Sequence, residues 1–510
     1  MPHKTELADL SPAASISIQE WLPDNPSPSA DAVLFLHGVE SHSGWFDSVA
    51  RQLAREGIAA YAFDRPGWGL SPGERGHLPG YAQLVQIADL LSLRLHEKHR
   101  RIHLAGMSWG GKLGLYLALR RPLSFASLTM IAPGLYPRDS FALPARIKVA
   151  LSLLLGSGMA KVKLHVRDED GTRTEDRSVC RKNHQVRVRE VSASFCLESL
   201  KMDNFIKEHI SQLRLPAQLL LAGEDKIVHN PPAVALLSKS GSRGGRVHVE
   251  PEAEHTLIFE KPDASVSLIR EWAAKAAPKP KHPRKVLVMG AGAIGSLVGG
   301  LLAHGGHEVV LVGRKVHADM VNSMGLELEL GLGKCLIRDN LRAATTPQEA
   351  AQMLGRVDLA ILSVKNFDTE TACRSLAGSV GQDTMLLCLQ NGVGAETSIE
   401  ALLPGRPLFA GSICAYVAFL GAGKVRWESD IGGLAFAPAN EKAASLADSL
   451  LELLSESAVE VIKAETPKNV KWSKLMLNLA FNALNALTGR GAGEILADPR
   501  MGPLAIGALR

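Results

Sequence analysis

Residues 277–295 read Ala-Pro-Lys-Pro-Lys-His-Pro-Arg-Lys-Val-Leu-Val-Met-Gly-Ala-Gly-Ala-Ile-Gly. Pro278, Pro280 and Pro283 each remove a backbone donor, so the first half of this stretch forms neither a helix nor a central strand. Its interleaved cations keep it solvated, and it reads as a stiff basic linker over 276–284. The second half is a short apolar strand, Val286 to Met289, that breaks into a glycine turn, the way a dinucleotide-binding domain opens. The joint divides the chain into one α/β domain over 1–275 and another that begins at Lys285.

The composition agrees with two or three ordinary globular domains. The chain has 510 residues, 46% of them hydrophobic and 21% charged. A formal charge of +5, with no basic stripe carrying interleaved aromatics, gives no reason to expect a nucleic-acid partner. Cys180, Cys196, Cys335, Cys373, Cys388 and Cys414 form no C-x-x-C pair, which argues against a zinc site or a disulfide framework and suits a reducing cytoplasm. The N-terminus has no apolar signal core. Val149–Leu155 is too short to span a bilayer, and Val286–Ala303 carries glycines on strand–turn–helix spacing, so no integral membrane segment is expected.

Upstream of the joint, buried-type strands at Ala32–Leu36, Ala59–Phe63 and Ile102–Ala105 alternate with helices near Trp45–Glu56 and Tyr81–Lys98. That alternation predicts a doubly wound sheet with its site beyond the carboxyl ends of the strands. Gly106-Met-Ser-Trp-Gly110 follows the third of these strands and precedes a helix, as a G-x-S-x-G elbow requires: small flanking residues let a strained turn push Ser108 outward. A serine hydroxyl needs a base, and the base needs a group to fix its tautomer. Asp225, just after the strand Ala217–Ala222, is the expected acid, with Glu224 as second choice; His255, last in chain order, is the expected base. The backbone N–H groups of Val39 and Trp109 are the expected oxyanion donors.

His37-Gly38 with Glu40, His42 and Ser43, the turn Asp64–Ser71, Gly73-Glu74-Arg75 and the elbow together resemble the monoacylglycerol lipase and lysophospholipase branch of the α/β-hydrolases over most of 20–275. The resemblance implies Ser108, Asp225 and His255 as a triad, a small acyl ester as substrate, and a helical cap at about 134–204. Ile147, Leu151, Leu153, Leu154 and Leu155 in that cap read either as an acyl-channel lining or, by preference, as the buried face of a cap helix.

Downstream, Gly290, Gly292 and Gly295, with Ala293 and Ile294 between them, complete G-x-G-x-x-G ahead of a helix whose N-terminal amides face a phosphate. Where a ribose-reading carboxylate belongs, about 20 residues on, Arg314 and Lys315 stand instead, favouring a 2′-phosphate and hence NADP(H). Lys365-Asn366 and Gln390-Asn391-Gly392 sit at further strand ends that face the cofactor cleft. Lys474, Asn478 and Asn482 recur every fourth residue on one face of a helix whose apolar neighbours suggest burial, so a polar substrate is their expected partner.

These motifs, with Trp472-Ser-Lys474-Leu475, are similar to those of ketopantoate reductase (2-dehydropantoate 2-reductase). The resemblance implies a Rossmann-type NADP-binding domain over 285–465, the start of an all-helical domain over 466–510, and reduction of a 2-keto acid such as ketopantoate. It makes Lys474 the general acid and Asn478 and Asn482 substrate holders, places Lys365 and Asn391 between cofactor and substrate, and suggests a homodimer. The family continues through a further set of helices that supply a serine and a glutamate to the substrate site; with Arg510 following soon after the lysine helix, no counterparts of those helices are expected, and an exposed apolar patch is expected on the lysine helix. The alternative is a module that senses NADPH or oligomerises for the hydrolase.

Overall fold

The structure, a computed structural model, describes all residues except 1–2, 12–13, 25–30, 100, 122, 139–142, 165–185, 214, 243–244, 276–282, 331–332, 415, 429–432, 456–459 and 509–510. Most of the linker and the polar half of the expected cap therefore lie outside the described residues. The chain separates into two compact units, Met1–Ala277 and Pro278–Arg510.

In the first unit, Ala32–Leu36 is an uninterrupted apolar run, which only a strand covered on both faces tolerates. Leu34 and Leu36 enter the core on one side of the sheet, while Val33 and Phe35 enter the core on the other. The strands in chain order are β1 (His3–Ser11), β2 (Ala14–Trp21), β3 (Ala32–Leu36), β4 (Ala59–Phe63), β5 (Ile102–Met107), β6 (Ser127–Ile131), β7 (Lys161–Lys163), β8 (Glu190–Ser192), β9 (Ala217–Ala222) and β10 (Arg246–Glu250). The main sheet runs β1-β2-β4-β3-β5-β6-β9-β10, parallel from β4 to β10. An antiparallel β1–β2 hairpin that sequence reading did not anticipate forms its edge. β7 and β8 pair as a small ribbon in the cap region beside the helices Leu143–Leu154 and Ala193–His209.

The second unit adds β11 (Lys285–Met289), β12 (Glu308–Val312), β13 (Leu326–Leu330), β14 (Gly333–Ile337), β15 (Leu341–Ala344), β16 (Leu359–Leu362), β17 (Met385–Cys388), β18 (Leu408–Ile413), β19 (Val417–Gly421), β20 (Lys424–Trp427), β21 (Gly433–Pro438) and β22 (Glu460–Lys463). Its main sheet runs β15-β12-β11-β16-β17-β18-β21-β22, with β18–β21 the antiparallel pair. A separate sheet, β14-β13-β20-β19, covers the Ala293–His304 helix. Its logic is period two: Leu326 and Leu328 are fully buried, while Glu327 and Glu329 pair with Lys424 and Arg426 of β20. After β22, Thr466 caps a long helix, Pro467–Thr488, by accepting a hydrogen bond from Asn469 N–H; Gly489 ends it in the left-handed conformation. No helix among the described residues is long and apolar enough to cross a membrane.

Leu328→Ala removes a fully buried side chain from this second sheet. The expected cost is about 3 kcal/mol, read by calorimetry as a lowered unfolding transition of the second unit with that of the first unchanged.

Candidate functional site

At the end of β5 the chain turns into the helix Trp109–Arg120 through Ser108, which sits at φ 54°, ψ −122°. No L-residue adopts that conformation without cost, so the surroundings must enforce it. A Cβ on Gly106 would lie 2.2 Å from Gly110 O, and one on Gly110 would lie 2.0 Å from Leu36 O, so both positions exclude a side chain. Ser108 N–H donates to Ile131 O (2.9 Å), and Ser108 O accepts from Gly111 N (2.9 Å) and Gly134 N (2.8 Å), which pins the turn on three sides.

Asp225 is buried at the end of β9. Its Oδ1 accepts from Ile227 N (2.8 Å) and Val228 N (2.9 Å), leaving Oδ2 for His255 Nδ1 at 2.9 Å. Burial pushes this carboxyl up. The hydrogen bond and charge of His255, with the two backbone N–H groups, outweigh it and hold the carboxyl below its ordinary value. Asp225, and not the exposed Glu224, is thus the acid that meets His255. With Nδ1 committed to Asp225, Nε2 is the nitrogen left for a proton from elsewhere. Among the described residues no hydrogen bond joins His255 to Ser108, which is half-buried; such contacts often tighten only when substrate binds.

Gly38 approaches the nucleophile closely: a Cβ there would lie 3.4 Å from Ser108 Cβ. Among the described residues, neither Val39 N–H nor Trp109 N–H donates a hydrogen bond, and Trp109 is the first residue of its helix, where the N–H has no intrahelical acceptor. Both expected oxyanion donors are therefore uncommitted.

Sequence reading missed two groups here. Lys112 is buried and reaches from the helix behind Ser108 to Asp203 (2.8 Å) and Ser199 Oγ (3.1 Å) on the Ala193–His209 helix; Trp109 Nε1 also donates to Ser199 Oγ (3.0 Å). Arg65, in the turn after β4, is likewise buried. The preferred reading of the cap helix is corrected: Ile147, Leu151, Leu154 and Leu155 are exposed, and the residue of that helix that turns inward is Ser152. The arc of the helix that meets the core carries Ala145 and Val149, so the leucines on the other arc stay uncovered.

In the second unit, Gly290 (φ +106°) makes the tight turn after β11, and a Cβ there would strike Val364 N at 2.8 Å. A Cβ on Gly295 would lie 2.1 Å from Gly290 O, so this glycine seats helix on strand. A Cβ on Gly292 would meet nothing within 4 Å. The middle glycine thus faces open space at the N-terminus of the Ala293–His304 helix, opened by the half-buried Ala293 and Ile294, and the cradle fits a pyrophosphate. Arg314, at the end of β12, and Lys315 are exposed; Lys315 pairs with Asp319 at 3.1 Å. Lys365 and Asn391 are exposed at the ends of β16 and β17, whose loops are tied by Asn366 Nδ2 donating to Asn391 O (2.9 Å).

The lysine helix departs from expectation. Lys474 and Asn478 are half-buried and Asn482 is exposed, while Trp472 (48% exposed), Met476 and Leu479 (60%) stand uncovered. The buried positions are Val470, Lys471, Ala480 and Phe481; the helix packs on β18 and β21, and Ala480 and Phe481 pack with Ile495 and Ala505 of the helices that follow. Lys471, not singled out from the sequence, donates to Gln390 O (2.8 Å) and Cys388 O (3.2 Å) and pairs with Glu396 (2.9 Å), fastening the helix to the end of β17.

The fold is that of an α/β-hydrolase followed by a Rossmann-type domain. Comparison with known proteins bears this out. A family model described as "Serine aminopeptidase, S33" matches residues 27–262, and one described as "Ketopantoate reductase PanE/ApbA" matches 286–441. The 2-dehydropantoate 2-reductase of Pyrococcus horikoshii is 36% identical over 207 residues, 40% of this chain and 64% of that protein. The corresponding Halobacterium salinarum enzyme is 30% identical over 222 residues, 42% of this chain and 69% of that protein. Rat monoglyceride lipase is 25% identical over 253 residues, 48% of this chain and 82% of that protein. The chain belongs to the ketopantoate reductase family through its second unit, joined behind an α/β-hydrolase of the monoacylglycerol lipase type. It spans 64% of the length of the Pyrococcus horikoshii relative, and its helical part is partial.

The two glycines of the fingerprint make separable expectations. Gly292→Ala folds normally and weakens NADPH binding, whereas Gly295→Ala lowers the unfolding temperature of the second unit. Circular dichroism melts and NADPH fluorescence titrations of the two variants check this.

Proposed function

We propose that the first unit hydrolyses a small acyl ester of the monoacylglycerol kind by serine catalysis, and that the second reduces a 2-keto acid at the expense of NADPH. The observation that carries the first reading is the strained, outward Ser108 on an elbow whose partner acid and base, Asp225 and His255, are joined at 2.9 Å. Ser108 Oγ attacks the ester carbonyl carbon as His255 Nε2 takes its proton, and Asp225 holds the imidazole through Nδ1. Charge gathers on the former carbonyl oxygen, where Val39 N–H and Trp109 N–H receive it. The alcohol leaves with the proton from His255. A water, deprotonated by the same imidazole, then cleaves the acyl-serine.

A fluorophosphonate probe is expected to label the wild-type protein and not Ser108→Ala. Asp225→Asn should fold and lose about 10⁴-fold in kcat. Absence of labelling in folded wild-type protein would reject the esterase.

For the second unit, support comes from the glycine cradle and from the family to which this unit belongs. Gly290, Gly292 and Gly295 with the following helix would hold the pyrophosphate, and Arg314 with Lys315 the 2′-phosphate. The nucleotide, when bound, supplies a hydride. Lys474 donates a proton to the carbonyl oxygen of the keto acid, its ammonium also offsetting the charge that develops there. Asn478 and Asn482 would orient the keto acid, and Lys365 and Asn391, at the ends of β16 and β17, would help to hold cofactor and substrate. Arg314→Ala should weaken NADPH binding about tenfold, by roughly 1.4 kcal/mol, with NADH binding unchanged, and Lys474→Ala should abolish ketopantoate-dependent NADPH oxidation. The uncovered apolar side chains of the lysine helix favour one second reading, a module that senses NADPH or oligomerises for the hydrolase. Tight NADPH binding without turnover by the wild-type chain would select it.

A further inference from the structure

Arg65 follows Asp64 in the turn after β4, and the triad chemistry leaves it without a role. It is 1% exposed, yet among the described residues it forms no ion pair, since the adjacent carboxylate of Asp64 is taken by Ser43 N–H (2.6 Å) and Leu70 N–H (2.8 Å). Burial alone is a strong penalty on such a cation and draws its pKa down to about 9, against the opposing pull of Asp64. What the guanidinium does contact is specific. Nη1 donates to His37 O (2.6 Å) and Nη2 to Gly38 O (2.8 Å), while Cζ lies over the indole rings of Trp68 (4.7 Å) and Trp109 (4.5 Å). Its own backbone N–H donates to His37 Nε2 (3.2 Å), which leaves the proton of that ring on Nδ1, aimed at Gly38 O at 2.9 Å.

Gly38 O therefore accepts two hydrogen bonds, one of them charge-assisted, and it belongs to the same peptide unit as Val39 N–H. In a trans peptide the C=O and N–H point in opposite directions, and no peptide bond of the described chain is cis. Anchoring the oxygen fixes the direction of the hydrogen, and a cation on the oxygen draws electron density away from the nitrogen, making the N–H a stronger donor. The same guanidinium also lies over the ring of Trp109, whose backbone N–H is the second expected donor. Trp68, the other indole, donates Nε1–H to Val39 O (2.6 Å) and so steadies the next peptide along.

We propose that Arg65 is a positioning residue for oxyanion stabilisation: one buried guanidinium aligns and polarises the Gly38–Val39 peptide and braces Trp109, so that both donors face the acyl oxygen as it becomes negative. The proposal rests on the esterase reading above. A group that acts this way strengthens contacts made in the transition state and not those made to the ground-state ester.

The test uses the full chain with a short-chain p-nitrophenyl ester and an alkyl boronic acid, which forms a tetrahedral adduct on an active serine. Arg65→Met keeps the apolar volume and removes the charge. It should lose about 10- to 100-fold in kcat, less than deletion of a direct donor costs, with KM changed by less than about threefold. Boronate affinity should fall by the same factor as kcat/KM. Arg65→Lys, which reaches one carbonyl at a time, should fall between wild type and methionine on both measures. Unchanged kcat and boronate affinity in folded Arg65→Met would overturn the proposal, as would a rise in KM alone, the mark of a merely structural part. Should the methionine variant fail to fold, the lysine variant decides, by whether its losses in kcat/KM and boronate affinity match. If wild-type protein resists fluorophosphonate, the esterase reading falls and this one with it. If wild type is labelled, Ser108→Ala is not, and Arg65→Met is labelled at the wild-type rate, this proposal alone falls.

Discussion

Both units rest on one steric constraint, the approach of a helix to a strand end so close that no Cβ fits between them. In the hydrolase, Gly110 lies against the carbonyl of Leu36 and Gly106 against that of Gly110; in the reductase, Gly295 lies against the carbonyl of Gly290. Each contact brings the first turn of a helix, with its unpaired N–H groups, directly over the carboxyl edge of a parallel sheet. The hydrolase uses that geometry to force Ser108 into a conformation it would not otherwise adopt and to free Trp109 N–H. The reductase uses it to leave Gly292 facing open space. One packing solution thus underlies two candidate sites, and the difference lies in the residue presented at the turn.

Around the first of these turns the polar groups are arranged by competition between burial and pairing. Asp225 keeps its charge because three donors meet it. His37 is held neutral well below the ordinary imidazole range, first by burial and then by the nearby Arg65. Arg65 is left with carbonyl oxygens and indole faces, and its Nε has no partner among the described residues. Interior cations satisfied this way belong to neighbourhoods whose dipoles already point the useful way, and the loop from His37 to Val39 is such a neighbourhood.

Much of this was readable from the chain itself, because the decisive features are local. The elbow, the glycine fingerprint and the apolar strands are short patterns whose physics does not depend on distant partners, and Asp225 and His255 could be selected by order along the sequence. What escaped reading was of two kinds. The β1–β2 hairpin and the Leu-Glu alternation of β13 carried period-two signals, overlooked beside the stronger parallel-strand runs. The bridges Lys112–Asp203 and Lys471–Glu396 join residues separated by much of a domain, and nothing in either segment alone marks its partner. The burial of the lysine helix was misjudged for a related reason: a helix with apolar residues on most of its circumference does not announce which arc will find a neighbour.

The bridge from Lys112 to Asp203 has a mechanical consequence. Burial draws the ammonium below its ordinary pKa and the carboxyl above its own, so each tolerates its position only while the other is present. Moving the Ala193–His209 helix away would leave Lys112 without its carboxylate partner, at a cost of several kcal/mol. The Ala193–His209 helix is therefore moored to the helix that follows Ser108.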